Sequence, residues 1–205
     1  IKIDSFKGTR DRSWGLRPIG NKDNKETKHT EEPQFYWIWT PMNFPNHCIF
    51  YHRNDDSLGK SWNCRAVVDN LEENSRLEIT SPKIEIDYKK NTRRINDLKI
   101  KLEDAELEFI PGRVFYMQGL GYTHPEWGHG NNHGKLEVGF DIIDLDKAES
   151  ELAKGLIHNL HIQTLSKIKF KTPEIFITGQ GIIEQLFIGR HKPSGFEGIL
   201  DGIIE

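Results

Sequence analysis

The feature that most constrains this chain is the alternation of apolar and polar residues with a period of two. In KIEIDY, residues 83–88, Ile84, Ile86 and Tyr88 fall on one face and acidic residues on the other, which is the pattern of a half-buried strand. DLKIKLEDAELEF continues the alternation, but its phase changes near Glu103. A change of face requires a bulge or a tight turn at that point.

Further segments rich in aromatic and β-branched residues predict more strands. They are QFYWIWT, HCIFYHR, WNCRAVVD, RLEIT, RVFYMQG, KLEVGFDI, IHNLHIQTLSKIKF and EIFITGQGIIEQLFIG. Only DLDKAESELAKG has the composition of a helix, over about residues 146–154. We therefore expect an all-β fold, an antiparallel barrel or sandwich with at most one short helix, forming a single domain over residues 1–205.

Composition narrows the classes of partner. The chain has 28 basic and 31 acidic residues, so it lacks the basic excess typical of nucleic-acid binding. No apolar run approaches the roughly 20 residues that span a bilayer. Cys48 and Cys64 allow one bridge, but two free thiols fit better with a cytoplasmic protein, which we expect this to be.

The first candidate cluster is GTRDRSWGLRP, residues 8–18. Asp11 becomes a proton donor if it faces an apolar cavity, whereas arginines that reach it hold it as an ionised structural carboxylate. We leave both alternatives open. The neighbouring candidates for ligand binding are Arg10, Arg12, Trp14 and Arg17.

The second cluster lies in QFYWIWT, where Trp37 and Trp39 share one face and Tyr36 and Ile38 the other. Aromatic rings on both faces indicate that one set packs in the core. The other set lines a cavity for an apolar ligand or packs against a neighbour.

The third cluster is GYTHPEWGHGNNHG, residues 121–134. Its proline and glycines exclude a helix, and they favour a tight loop beside a pocket. His124, Glu126 and His129 are acid–base candidates there, and Tyr122 and Trp127 are candidates for ligand binding. A metal held by His124, His129 and His133 is the minority alternative.

The fourth cluster places Glu184 and Gln185 inside an otherwise apolar strand. One of the two side chains must point inward. A buried carboxylate needs a partner, for which the arginines of the first cluster are available. With a partner Glu184 is structural, and alone in a cavity it is a catalytic acid.

Together these motifs resemble the C-terminal lipocalin-like domain of the hydroxyneurosporene synthase-like superfamily, in its uncharacterised subgroup. The resemblance rests on GTRDRSWGLRP, FYWIWT, GYTHPEWGHGNNHG and GIIEQLFIGRHKPSGFEGILDG, and it covers most of the chain. It implies a lipocalin-like β-domain that forms the second half of a two-domain protein. Its partner would be a preceding lipocalin-like domain or a second copy.

The resemblance implies an enzyme that uses no organic cofactor and acts on a hydrophobic isoprenoid-, steroid- or polyketide-like molecule. The reaction would be a hydration (a lyase reaction), an isomerisation or a cyclisation. Protons would come from Asp11 or Glu126, and a tryptophan face would stabilise the developing cation. The alternative is a lipocalin-like module that binds or carries an apolar ligand without chemistry.

Overall fold

The computed structural model describes residues 8–9, 33–117, 132–140, 142, 144, 147 and 160–202. Nine β-strands account for most of the described residues. They are β1 Phe35–Asn43, β2 His47–Asp55, β3 Ser61–Asn70, β4 Ser75–Ile79, β5 Lys83–Tyr88, β6 Ile95–Leu102, β7 Ala105–Tyr116, β8 Ile162–Lys171 and β9 Phe176–Ile188. A short 3₁₀ turn, Lys192–Ser194, follows β9.

The strands form one antiparallel sheet in the order β4-β3-β2-β1-β9-β8-β7-β6-β5. β4 and β5 are thus the two edges, although only Thr80, Ser81 and Pro82 join them in the chain. Eight strand spacings would place the edges of a flat sheet roughly 38 Å apart, whereas this connection reaches at most about 15 Å. The sheet must therefore curl until its edges approach, which gives a lipocalin-like half-barrel.

A contact across the concave side shows the same curl. The hydroxyls of Tyr36 in β1 and Tyr88 in β5 lie 2.8 Å apart, although four strands separate β1 from β5 within the sheet. Such a contact is impossible in a flat sheet, where five strand spacings amount to roughly 24 Å.

The concave face is packed with apolar side chains, because alternate residues of each strand point inward. The core cluster consists of Tyr36, Ile38, Met42, Phe44, Ile49, Tyr51, Ala66, Ile79, Ile95, Leu98, Ile100, Leu102, Leu107, Phe109, Ile168, Phe170, Ile183, Phe187 and Phe196. Ile84, Ile86 and Tyr88 pack against it, as their alternation predicts. The described part of the concave face thus carries the hydrophobic core.

The segment after β9 closes one end of the curled sheet, and Arg93 holds it in place. Gly189 starts this segment with φ of 75°, a left-handed conformation that favours glycine. The guanidinium of Arg93 is 4% exposed and donates to the carbonyls of Gly189, Gly198 and Asp201. It also pairs with the Asp201 carboxylate and lies 4.3 Å over the Phe196 ring.

Most of the predicted strands are confirmed, and the change of face occurs at a tight turn between β6 and β7, with Glu103 at φ of 32°. The strand predicted at KLEVGFDI is wrong for residues 135–140, which form no strand. Leu136, Val138 and Phe140 alternate as expected but are 77–85% exposed, because no neighbouring strand pairs with them among the described residues.

The predicted helix at residues 146–154 lies outside the described residues except for Lys147. Cys48 and Cys64 are both free. Cys48 pairs with Asn43 on the convex face and Cys64 pairs with Arg53 on the concave face, so the two thiols project from opposite faces of the sheet. Within the described ranges, no helix has the length and hydropathy needed to cross a bilayer.

We expect Arg93→Met to lower the free energy of unfolding by on the order of 3 kcal/mol, since it leaves buried carbonyls without a donor. Arg76→Met is the matched control, because the Arg76 side chain is 63% exposed in its pair with Asp69, and its loss should lower the free energy of unfolding far less. Chemical denaturation measures both. Equal losses in the two variants would contradict the structural role assigned to Arg93.

Candidate functional site: a polar and aromatic cluster on the convex face

The convex face of β1 carries Trp37 and Trp39, opposite the core residues Tyr36 and Ile38. Residues paired across neighbouring strands share a face of the sheet. Trp39 pairs with Glu184 of β9 on one side and with His52 of β2 on the other. The register thus brings a carboxylate and an imidazole to the two sides of one indole.

Glu184 belongs to a hydrogen-bonded group of three side chains. Its Oε1 lies 2.7 Å from His161 Nε2, and its Oε2 accepts a hydrogen bond of 2.9 Å from Gln163. The side chains of His161 and Glu184 are 14% and 13% exposed. Both are shielded from water but reachable, which is the condition in which a carboxylate–imidazole pair can transfer a proton.

Trp37 joins this pair to His52. The His161 ring meets the Trp37 ring edge-on, with centroids 5.6 Å apart, and Trp37 Nε1 donates to His52 Nε2 at 2.8 Å. The other side of Trp37 packs with Leu160 and Leu186. The indole is therefore fixed by packing and by a directed hydrogen bond.

The hydrogen bond from Trp37 determines the protonation of His52. An indole N–H can only donate, so His52 Nε2 is unprotonated and the neutral ring carries its proton on Nδ1. Burial lowers the pKa of His52 below its usual 6.5; a hydrogen bond to Asn54 opposes this, and the charge of Arg65 lowers the pKa further. His52 is therefore neutral at neutral pH.

A groove of about 480 Å³ begins at Trp39 and runs across β2, β3 and β4. Its walls combine apolar rings with amide and charged groups. They are formed by Trp39, Phe50, His52, Asn63, Arg65, Val67, Asp69 and Arg76. The Trp39 and Phe50 rings stack with centroids 5.8 Å apart and give the groove a flat apolar end beside Glu184.

A second polar network lies on the concave face, at the closed end of the sheet. Asp55 is fully buried and accepts hydrogen bonds from Arg53 and Ser61, and it lies 3.2 Å from His191 Nε2. Burial raises the pKa of Asp55, but hydrogen bonds from His191 and Ser61 and the charge of Arg53 hold it below its usual value. This satisfied network attaches the segment after β9 to β2, and we assign it to stability.

Glu184 and Gln185 divide between the two faces. Gln185 points inward, is 2% exposed, and bonds the Ile95 N–H and the Arg93 carbonyl. Glu184 points outward to His161 and Gln163. The arginines proposed as its partners, Arg10, Arg12 and Arg17, lie outside the described residues.

Three residues selected from the sequence, Trp37, Trp39 and Glu184, meet in one cluster. His52 and His161 were missed, although each stands at an outward position of a predicted strand. The alignment of a histidine with a tryptophan on the neighbouring strand would have identified them. That alignment is known only when the pairing of the strands is known. The remaining candidates, Asp11, Trp14, Tyr122, His124, Glu126, Trp127 and His129, lie outside the described residues.

The minority metal alternative involves His124, His129 and His133, of which only His133 is described. In the part of the chain that the structure describes, no group of three or more His, Cys, Asp or Glu side chains is arranged to hold a metal ion.

The curled sheet and the cluster on its convex face define an all-β protein of lipocalin-like architecture with an external polar and aromatic site. The chain belongs to a family of unknown function, DUF8625, whose sequence profile matches residues 1–197. No curated protein matches the sequence.

Two solved structures are similar to this chain. Kievitone hydratase from Nectria haematococca has 13% sequence identity and a TM-score of 0.44, over 74% of this chain and 39% of that one. An AttH-type protein from Nitrosomonas europaea has 8% identity and a TM-score of 0.42, over 74% of this chain and 38% of that one. This chain thus spans about two fifths of the length of either structure.

We expect acid to destabilise the protein through His52. Its pKa is lower in the folded chain than the usual 6.5, so the unfolded chain binds more protons as pH falls below that value, and the folded state loses stability. Unfolding free energies should therefore fall more steeply in the wild type than in His52→Gln between about pH 7.5 and 5.5. The Trp37 indole N–H resonance should shift over the same range, and parallel pH profiles in the two proteins would contradict the assignment.

Proposed function

We propose that the chain is a cofactor-independent acid–base enzyme acting on a hydrophobic small molecule, as a hydratase, isomerase or cyclase. The observation that supports this most directly is the Glu184–His161 pair beside Trp37 and Trp39. Protonation of an alkene creates a carbocation, and an indole face beside the proton donor stabilises that charge. The neighbouring imidazole then takes a proton from water or from the adjacent carbon.

The residues have separate roles in this proposal. Glu184 in its protonated form delivers the proton, and His161, which is 2.7 Å away, returns it to the carboxylate after turnover. Gln163 holds the second carboxylate oxygen in position. Asp11, Glu126, His124 and His129 remain proposed participants from the sequence.

The alternative is a module that binds or carries an apolar ligand without changing it. One observation favours it: both oxygens of Glu184 already have hydrogen-bond partners, His161 and Gln163, as in a structural carboxylate. In this case the groove beside Trp39 would hold the ligand, and Glu184 would only fix the neighbouring strands.

Incubation with a panel of unsaturated isoprenoid, steroid and polyketide-like molecules in D₂O separates these functions. We expect mass spectrometry to show deuterium in the product. The product of a hydratase also gains the mass of one water, whereas the product of an isomerase or cyclase differs from the substrate only by the deuterium. Glu184→Gln keeps the shape of the side chain and should reduce the rate at least ~100-fold, the scale of general acid catalysis.

The matched control is Glu108→Gln, since Glu108 is a strand carboxylate that pairs with Lys169 and is 39% exposed. It should incorporate deuterium as the wild type does, and both variants should melt near the wild-type temperature. Retained but unlabelled ligand would support the carrier. Equal labelling by Glu184→Gln and wild type would remove Glu184 from the mechanism.

A further inference from the structure

Among the residues that the structure describes, the groove beyond Trp39 contains one cation that has no carboxylate partner. Arg65 is exposed on the convex face of β3, and no described carboxylate lies within salt-bridge distance of its guanidinium. The other cation, Arg76, is neutralised by two hydrogen bonds to Asp69, of 2.6 and 3.0 Å. Since His52 is neutral, the residues that line the groove carry a net positive charge, which lies at Arg65.

The apolar side of the groove lies next to this cation. Trp39, Phe50 and Val67 supply the apolar surface, and the volume of about 480 Å³ falls in the usual range for small-molecule sites. Apolar walls ending at an unpaired guanidinium complement a ligand with a hydrocarbon body and a terminal carboxylate, which arginine binds in a bidentate manner.

The strand register gives the direction and length of such a ligand. Arg65, His52, Trp39 and Glu184 are consecutive partners across β3, β2, β1 and β9. Three strand spacings separate the first from the last, which is about 14 Å. A carboxylate on Arg65 would therefore place the carbon next to Glu184 roughly eleven bonds away, because an extended chain with bonds of about 1.5 Å advances only about 1.25 Å per bond.

We propose that the groove binds an unsaturated long-chain carboxylic acid, with its carboxylate on Arg65 and its chain running over Trp39 toward Glu184. This inference deepens the proposed function and rests on it only in taking Glu184 and His161 as the reacting end. Binding of the carboxylate to Arg65 is independent of any reaction.

Fluorescence titration with 11-(dansylamino)undecanoic acid and its methyl ester tests the binding, because the ester keeps the hydrocarbon chain and the fluorophore but replaces the charged carboxylate by a neutral group. We expect the wild type to bind the acid about tenfold more tightly than the ester, the effect of one charged hydrogen-bonded pair. Arg65→Met should remove this preference, and Arg65→Lys should keep part of it. Melting curves establish that the exposed substitutions leave the fold intact.

Arg190→Met is the matched control, since Arg190 is exposed, pairs with Glu197 and lies outside the groove. It should keep the preference for the acid. Equal binding of acid and ester by the wild type, an unchanged preference in Arg65→Met, or binding of neither probe would each overturn the inference.

The two proposals fail separately. Acid binding that depends on Arg65, without deuterium incorporation into any unsaturated acid, would support the groove assignment and refute the acid–base enzyme. Labelling that depends on Glu184 but occurs only in neutral molecules would support the acid–base enzyme and refute the groove assignment.

Discussion

The three-residue connection between β4 and β5 is the constraint on which the rest of the structure depends. It joins the two edges of a nine-stranded sheet and so requires the sheet to curl. Once the sheet is curled, each strand has an inner face that meets other strands across the concavity and an outer face that meets none of them. The apolar set fills the inside, and the outer face is left free to carry polar chemistry.

The curl also explains why the closed end needs Arg93. Inner backbone groups at the end of a curled sheet have no further strand to pair with, and burial without a partner is costly. Gln185 bonds the backbone of residues 93 and 95 at this end, and Arg93 bonds carbonyls of the segment after β9 that closes it. Polar side chains in the core are thus a consequence of closing the sheet.

On the convex face, strand register assembles the site. Glu184, Trp39, His52 and Arg65 come from four different strands and form one row only because β9, β1, β2 and β3 are neighbours with this alignment. A shift of one residue in any of these pairings would send its contribution to the core side. The Glu184–His161 pair, the aromatic wall and the Arg65 guanidinium are therefore linked by the same hydrogen-bonded ladders.

The sequence by itself determined most of the strands, which residues of a strand share a face, and the turn near Glu103, because these follow from local alternation and turn chemistry. It identified Trp37, Trp39 and Glu184, whose types are unusual at their positions. The contacts of Trp37 with His52 and of Glu184 with His161 could not be predicted from the sequence. Nor could the absence of a described strand partner for residues 135–140. Those depend on which strands are neighbours, and only the tertiary structure decides this, because the pairing energy comes from residues distant in the chain.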